Sequence, residues 1–148
     1  MNWKWIGILS CLSLVSATLT VFGVMPEGGP GIAIGIIVGL GLSYVMARTT
    51  ADRFFRNGFT LGVVSGLVVS LVQMLFFNTM VENNAQMAEK MSKMPSSVNP
   101  VVFMAISAPI TMAVSGAFQG LFTLGMAALL GKRSGRRTAP PASPPAPV

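Results

Sequence analysis

The chain contains no histidine, one cysteine (Cys11) and only four acidic residues, and charged residues make up 9% of its length. Without histidine it lacks the side chain most often used for proton transfer near neutral pH and for metal ligation. A single cysteine excludes a disulfide within the chain and a thiolate metal site. The acids Glu27, Asp52, Glu82 and Glu89 are scattered singly. No paired carboxylates, histidine-based triad or phosphate-cradling Gly-Lys-Ser loop is present. The expectation is therefore a protein that is not an enzyme, with no catalytic residue, no metal site and no cofactor. The shortage of charge also decides the solvent. A water-soluble domain carries about 25% charged residues, and this chain has too few to clothe a surface in water.

What fills the sequence instead is apolar: 52% of its residues are hydrophobic. Four runs, 6–25, 31–49, 59–81 and 101–130, are long enough to cross a bilayer, whose hydrocarbon core of about 30 Å takes roughly 20 residues of helix. Backbone amides in lipid must bond internally, which requires helices here. A membrane β-barrel would alternate polar and apolar residues in segments of about ten, and these runs do not alternate. The fold class expected is an all-α membrane protein, a four-helix transmembrane bundle. The first run ends without a small-x-small cleavage site and is read as an uncleaved span. Pro109 lies inside the fourth. It removes one helix hydrogen bond and crowds the preceding turn. Either the helix kinks there, tilting 101–108 toward the interface, or it begins near Pro109.

The net charge is +6, and the basic residues lie outside the apolar cores. With four crossings, Lys4, the loop bearing Arg48, Arg53 and Arg56, and the tail bearing Lys132, Arg133, Arg136 and Arg137 share one side. Only Lys90 and Lys93 fall on the other. Basic residues accumulate on the cytoplasmic face, so both termini are expected there, with anionic lipid against the basic loop and tail. Trp3 and Trp5 suit the headgroup layer beside Lys4, and Phe54 and Phe55 suit it beside the loop arginines. Nucleic acid is not an expected partner.

Small residues let membrane helices approach closely. The second span carries Gly31, Gly35, Gly39, Ser43 and Ala47 at every fourth position, and the third carries Gly58, Gly62, Gly66 and Ser70 at the same spacing. Two matched rows joined by a short loop predict that spans two and three form a tight antiparallel pair. The fourth span adds Gly116 and Gly120. Such rows serve as packing seams within one chain, and as glycine zippers they also build oligomeric pores. Gln73 and Gln119 fall within spans three and four. A primary amide in lipid needs partners, so both are expected to face the bundle interior and bond each other or nearby hydroxyls. No acid or base lies inside a span, which argues against proton relays and ion-coupled pumps.

Beyond the third span, Met80, Met87, Met91 and Met94 recur at helical spacing among Glu, Asn, Gln and Lys. They predict an outer amphipathic helix that extends span three or lies on the surface, with a methionine face suited to packing or to a partner. The tail over 134–148 turns abruptly to Pro, Ala and Ser, a composition expected to stay disordered on the cytoplasmic side.

Taken together, the Gly-rich second and third spans, Phe76-Phe77-Asn78, the Met/Glu/Asn segment 82–94 and the Pro-led fourth span ending in Gly131-Lys132-Arg133 resemble a family of small bacterial four-span inner-membrane proteins of unknown function. The likeness covers most of 5–133. It implies a bacterial plasma-membrane location and carries over no functional residues. The functional expectation is a structural or interaction subunit, with a membrane-protein partner or a second copy of the chain. The alternative is a passive small-solute transporter or holin-like pore.

Overall fold

The computed structural model describes residues 2–25, 29–95 and 98–132. The Pro/Ala-rich tail and the basic residues Arg133, Arg136 and Arg137 lie outside the described residues. Uninterrupted apolar sequence becomes helix: α1 (Trp3–Val21), α2 (Gly29–Thr49), α3 (Phe54–Leu75), α4 (Phe77–Asn83), α5 (Ala85–Ser92) and α6 (Pro100–Leu129). Among the described residues, α1, α2, α3 and α6 are long and apolar enough to cross a membrane. The protein is an all-helical, multi-pass membrane protein.

Local chemistry sets several helix ends. Gly23 and Gly131 take positive φ, 67° and 69°, directly after α1 and α6. Both ends form Schellman turns. Gly23 N donates to Thr20 O (3.1 Å) and Val24 N to Leu19 O (2.9 Å), while Gly131 N donates to Ala128 O (3.0 Å) and Lys132 N to Ala127 O (2.9 Å). At its start α6 is capped by Asn99, whose Oδ1 accepts from Val101 N (3.0 Å) and Val102 N (3.3 Å). Pro100 follows in the first turn, where a missing N–H costs nothing.

Two boundaries differ from the sequence expectation. The third long helix begins at Phe54 and stops at Leu75, although apolar sequence continues to Val81. At Phe76 the backbone leaves helical geometry (φ −109°, ψ 30°), and the chain turns so that α4 can pack on the end of α1. There Met80 is buried, Asn84 Nδ2 donates to Thr20 O (3.2 Å), and Gly23 sits against the Asn83 carbonyl so closely that a Cβ would collide with it. The outer segment is thus two short helices, α4 and α5, broken at the extended residue Asn84. On α5, Met87 and Met91 are half-buried and the Glu89–Lys93 ion pair lies exposed. The fourth long helix does not begin at Pro109. It begins at Pro100 and carries Pro109 in its interior, on an exposed face. Thirty residues make a rod of about 45 Å at 1.5 Å per residue, longer than a hydrocarbon core of about 30 Å is thick.

The helix pair that organises the bundle is α3 with α6, not α2 with α3. A Cβ on Gly62 would lie 2.7 Å from Gly116 Cα and Ser115 O, and one on Gly58 would lie 2.7 Å from Gln119 O. From the other side, a Cβ on Gly116 would meet Val63 at 2.8 Å, and one on Gly120 would meet Phe55 at 2.9 Å. The approaches at Gly58 and Gly62 are to backbone, and those at Gly116 and Gly120 are to the Val63 and Phe55 side chains; only glycine permits contacts this close. By contrast, a Cβ on Gly35 or Gly41 of α2 would meet nothing within 4 Å. The rows on α2 and α3 look alike in sequence, but the α3 row closes on α6 through its glycines, while the α2 row meets α6 only from Gly39 onward, through Ser43 and Ala47.

Candidate functional site

Burial along α2, α3 and α6 is lopsided, whereas α1 has buried residues along its length from Ile6 to Val21. In α2 the buried residues are Ser43, Met46 and Ala47, in α3 Phe54, Asn57, Gly58, Leu61 and Gly62, and in α6 Gly116, Gly120, Thr123 and Ala127. All lie toward the end of the bundle that carries Lys4, Arg48, Arg53, Arg56 and Lys132, here called the basic end. Two apolar clusters seal it. Ile6, Leu9, Met46 and Leu61 form one, flanked by Trp5, Leu42, Val45 and Val64. Ala47, Phe54 and Ala127 form the other, flanked by Met126 and Leu130.

Polar groups tie this end together. Asn57 is buried at 1% exposure. Its Oδ1 accepts from Asn2 N (3.2 Å), and its Nδ2 donates to Asp52 O (3.2 Å) and Arg53 O (3.1 Å). Asn2 Nδ2 donates to Thr49 O (3.1 Å). Directed by the Schellman turn after α6, Lys132 Nζ donates to Ala47 O (2.9 Å), Arg48 O (2.8 Å) and Thr50 O (3.3 Å). A cation there satisfies unpaired carbonyls and opposes the negative end of the α2 dipole. Charge counting had assigned Lys132 to topology alone. It also stitches α6 to α2.

Away from the basic end the helices part and leave an open-sided cavity of about 270 Å³ between them. Its floor is one face of α3: Gly62, Ser65, Gly66, Val69, Ser70 and Gln73. These positions follow the three-and-four spacing of a single helical stripe, so the floor runs for about 16 Å along the axis at 1.5 Å per residue. Thr111, Ser115 and Gln119 of α6 and Ser13 and Ser16 of α1 add further polar groups, while Gly35, Val38, Gly39 and Leu42 of α2 supply a mainly apolar wall. No charged side chain lines it.

The two interior amides reach this cavity by different routes. Gln119 spans from α6 to α2, its Nε2 donating to Gly39 O (3.1 Å) and Ser43 Oγ (3.0 Å). The expected bond to a hydroxyl is therefore present. Gln73 lines the far part of the cavity and forms no bond with Gln119, because the seam pairs Gln119 with the level of Gly58 and Gly62, well below Gln73. Ser65 Oγ is buried without a hydrogen-bond partner among the described residues. The surrounding threonines behave otherwise. Thr111 Oγ1 donates to Ser107 O (3.2 Å), Thr123 Oγ1 to Gln119 O (2.8 Å) and Thr20 Oγ1 to Ser16 O (3.0 Å). A hydroxyl folded back on its own helix is occupied, while that of Ser65 is not.

Of the residues singled out in sequence, Gly58, Gly62, Gly66, Gly116 and Gly120 form the α3–α6 seam, with Gly66 against Met112. Gly35, Gly39, Ser70, Gln73 and Gln119 meet at the cavity, where Gly62 and Gly66 are shared with the floor. Ser43 is buried as the acceptor for Gln119. Gly31 is half-buried near the start of α2, and Pro109 lies on an exposed face of α6 outside the cavity lining. Sequence reasoning missed Asn2, Asn57 and Ser65. Ser65 could have been found, since it shares the stripe of Gly62, Gly66 and Gln73. Asn57 gave no periodic signal. Comparison with protein-family models, curated proteins and solved structures finds no match to this chain. The likeness to small bacterial four-span proteins rests on the residues alone.

Proposed function

We propose that this membrane protein is a passive, non-enzymatic device that admits a small uncharged solute into the bilayer, resident in a bacterial plasma membrane with both termini cytoplasmic. One observation carries the reading: an uncharged cavity, apolar over most of its surface but with serines, Thr111, Gln73 and Gln119 in its lining, lies among the four spans, with apolar clusters packed at the basic end. A packing role alone does not require hydroxyls and amides gathered around empty space, since polar side chains in lipid are costly unless paired. The absence of acids and bases along the cavity favours a passive device over an ion-coupled one. Anionic lipid at the basic end suits Lys4, Arg48, Arg53 and Arg56.

The test is flux in reconstituted vesicles. Neutral solutes of graded size should equilibrate in proportion to protein density, with a size cut-off, while potassium and chloride should not. Gly35→Leu should abolish the flux, because Gly35 lines the cavity and a side chain there enters open space. Vesicles impermeable to every solute at all protein densities would refute the proposal. A second reading, an interaction subunit, is favoured by α5, which has no buried residue and leaves part of its Met87 and Met91 face uncovered. Crosslinking from α5 to another membrane protein in native membranes would support it.

A further inference from the structure

We propose that α2 is a hinged wall, which pivots near Gln119 and swings its outer half onto the face of α3. The structure shows the open state, and the closed state buries the opening. The hinge concerns the fold alone and stands whether or not a solute uses the opening. Its first basis is how α2 is held. The helix packs mainly against α6, and its polar tethers lie in the half next to the basic end. Gln119 binds Gly39 O and Ser43 Oγ, Asn2 binds Thr49 O, and Lys132 binds the Ala47 and Arg48 carbonyls. The buried residues Ser43, Met46 and Ala47 lie in that half as well. Over 29–41 no residue of α2 is buried, and Gly35 and Val38 are exposed although they line the opening. That stretch holds five glycines, so few side chains brace it against a neighbour.

The second basis is what closing would satisfy. Across the opening stand Gly66, Val69, Ser70 and Gln73 of α3. Gln73 forms no hydrogen bond among the described residues, and an unpaired primary amide at membrane depth is unfavourable. Because α2 and α3 are antiparallel and joined by a short loop, residues equally far from the loop share a depth. Gly31 lies 18 residues before the end of α2 at Thr49, and Gln73 lies 19 after the start of α3 at Phe54. The bond from Gln119 to Gly39 O shows what glycine allows: without a Cβ, a helix carbonyl stays open to a second donor. Closure would bring Gln73 to the α2 backbone at Gly31 in the same way. It would also lay Gly35 toward Gly66 and Ser70, the close approach of small residues by which membrane helices pack. The movement is modest. A tilt of about 20°, an ordinary crossing angle for membrane helices, would carry Gly29 about 5 Å on a lever of ten residues from Gly39. Lipid tails supply no hydrophobic drive between helices, so neither state is strongly preferred on that account.

The experiment measures distances in the full chain, in lipid nanodiscs and a Cys11→Ser background, by pulsed electron resonance between two spin labels. One pair, Gly29→Cys with Leu75→Cys, reports the outer ends of α2 and α3, where both positions are exposed. A second pair, Arg48→Cys with Arg56→Cys, reports the basic end, where both are exposed. The outer pair should give two distances differing by several ångströms, and the basic pair one. Gly35→Leu fills the opening and should remove the shorter outer distance. Gln73→Leu should lower the closed-to-open ratio roughly threefold, the effect of one hydrogen bond in a membrane, and Gly41→Leu, on an open face, should change nothing. An unaltered basic pair establishes that each variant is folded. A single outer distance unmoved by Gly35→Leu and Gln73→Leu would overturn the hinge. Two outer distances whose ratio ignores Gln73→Leu would overturn the latch assigned to Gln73. Solute flux is not a readout here, so vesicles that pass no solute would sink the passive-transport reading without touching this one.

Discussion

Replacing Gly62 with alanine puts one methyl group where the two central helices touch. In the native packing that methyl would lie 2.7 Å from Gly116 Cα and Ser115 O and 2.8 Å from Gln119 Cβ. Carbon atoms in good contact sit about 3.5–4.0 Å apart, so α3 and α6 must separate by roughly 1 Å at this level. The first two atoms are backbone and cannot swing aside. Overpacking of this kind costs about 1–3 kcal/mol, and rigid backbone neighbours place Gly62 near the upper figure. Alanine returns at most about 1 kcal/mol through its better helix propensity. The net expectation is a loss of about 2 kcal/mol. Gly41→Ala is the control: a Cβ there meets nothing within 4 Å, so only the propensity gain remains and the variant should match or slightly exceed wild type. Equilibrium unfolding in mixed micelles of mild detergent and dodecyl sulfate, followed by tryptophan fluorescence and helicity, measures both. If Gly62→Ala unfolds at the wild-type midpoint, or Gly41→Ala is equally damaged, the seam assignment is wrong.

Three further outcomes follow from the basic end. Lys132→Met keeps the length of the side chain but removes the three bonds to the Ala47, Arg48 and Thr50 carbonyls at the end of α2, and should lower stability by about 1 kcal/mol in the same micelle assay, with Lys132→Arg intermediate. Asn57→Leu leaves the Asp52 carbonyl and the Asn2 amide without their side-chain partner and should cost about 1–3 kcal/mol. A better-packed, equally stable variant would show the amide to be dispensable. For orientation, in a Cys11→Ser background, Lys90→Cys should react with a membrane-impermeant maleimide applied from outside the cell, and Arg53→Cys only after permeabilisation. The reverse pattern would invert the topology drawn from charge.

Length, hydropathy and the scarcity of charge were enough to read the four spans, because lipid imposes one rule on every stretch of backbone that enters it. Glycine rows were legible as surfaces of close approach but not as pairs. Gly35 on α2 and Gly62 on α3 sit in rows of identical period, yet one faces open space and the other a backbone carbonyl. The choice depends on where α1 and α6 lie, information that no single helix contains. The break at Phe76 was hidden for a similar reason. Hydropathy continues through it, and what bends the chain is the docking of Met80, Asn83 and Asn84 on the turn after α1. The Asn2–Asn57 contact joins residues 55 apart in sequence, and a lone amide at each place carries no spacing from which it could be inferred.

The two glycine rows also explain why the cavity exists. Glycine lowers helix propensity by about 1 kcal/mol in water, and on α3 that penalty is offset by contact with α6. On α2 no contact offsets it at Gly35 or Gly41. A larger residue at Gly35 would project into the cavity, so the small residue there preserves space where the α3 glycines eliminate it. Gln119 holds the boundary between these two regimes. On one side of it the seam is closed at Gly58, Gly62 and Gly116. On the other, beyond its bonds to Gly39 and Ser43, α2 buries no residue against its neighbours. A single amide thus anchors α2 at the depth where the bundle changes from solid to hollow, and beyond it the α3 face from Ser65 to Gln73 lines the opening.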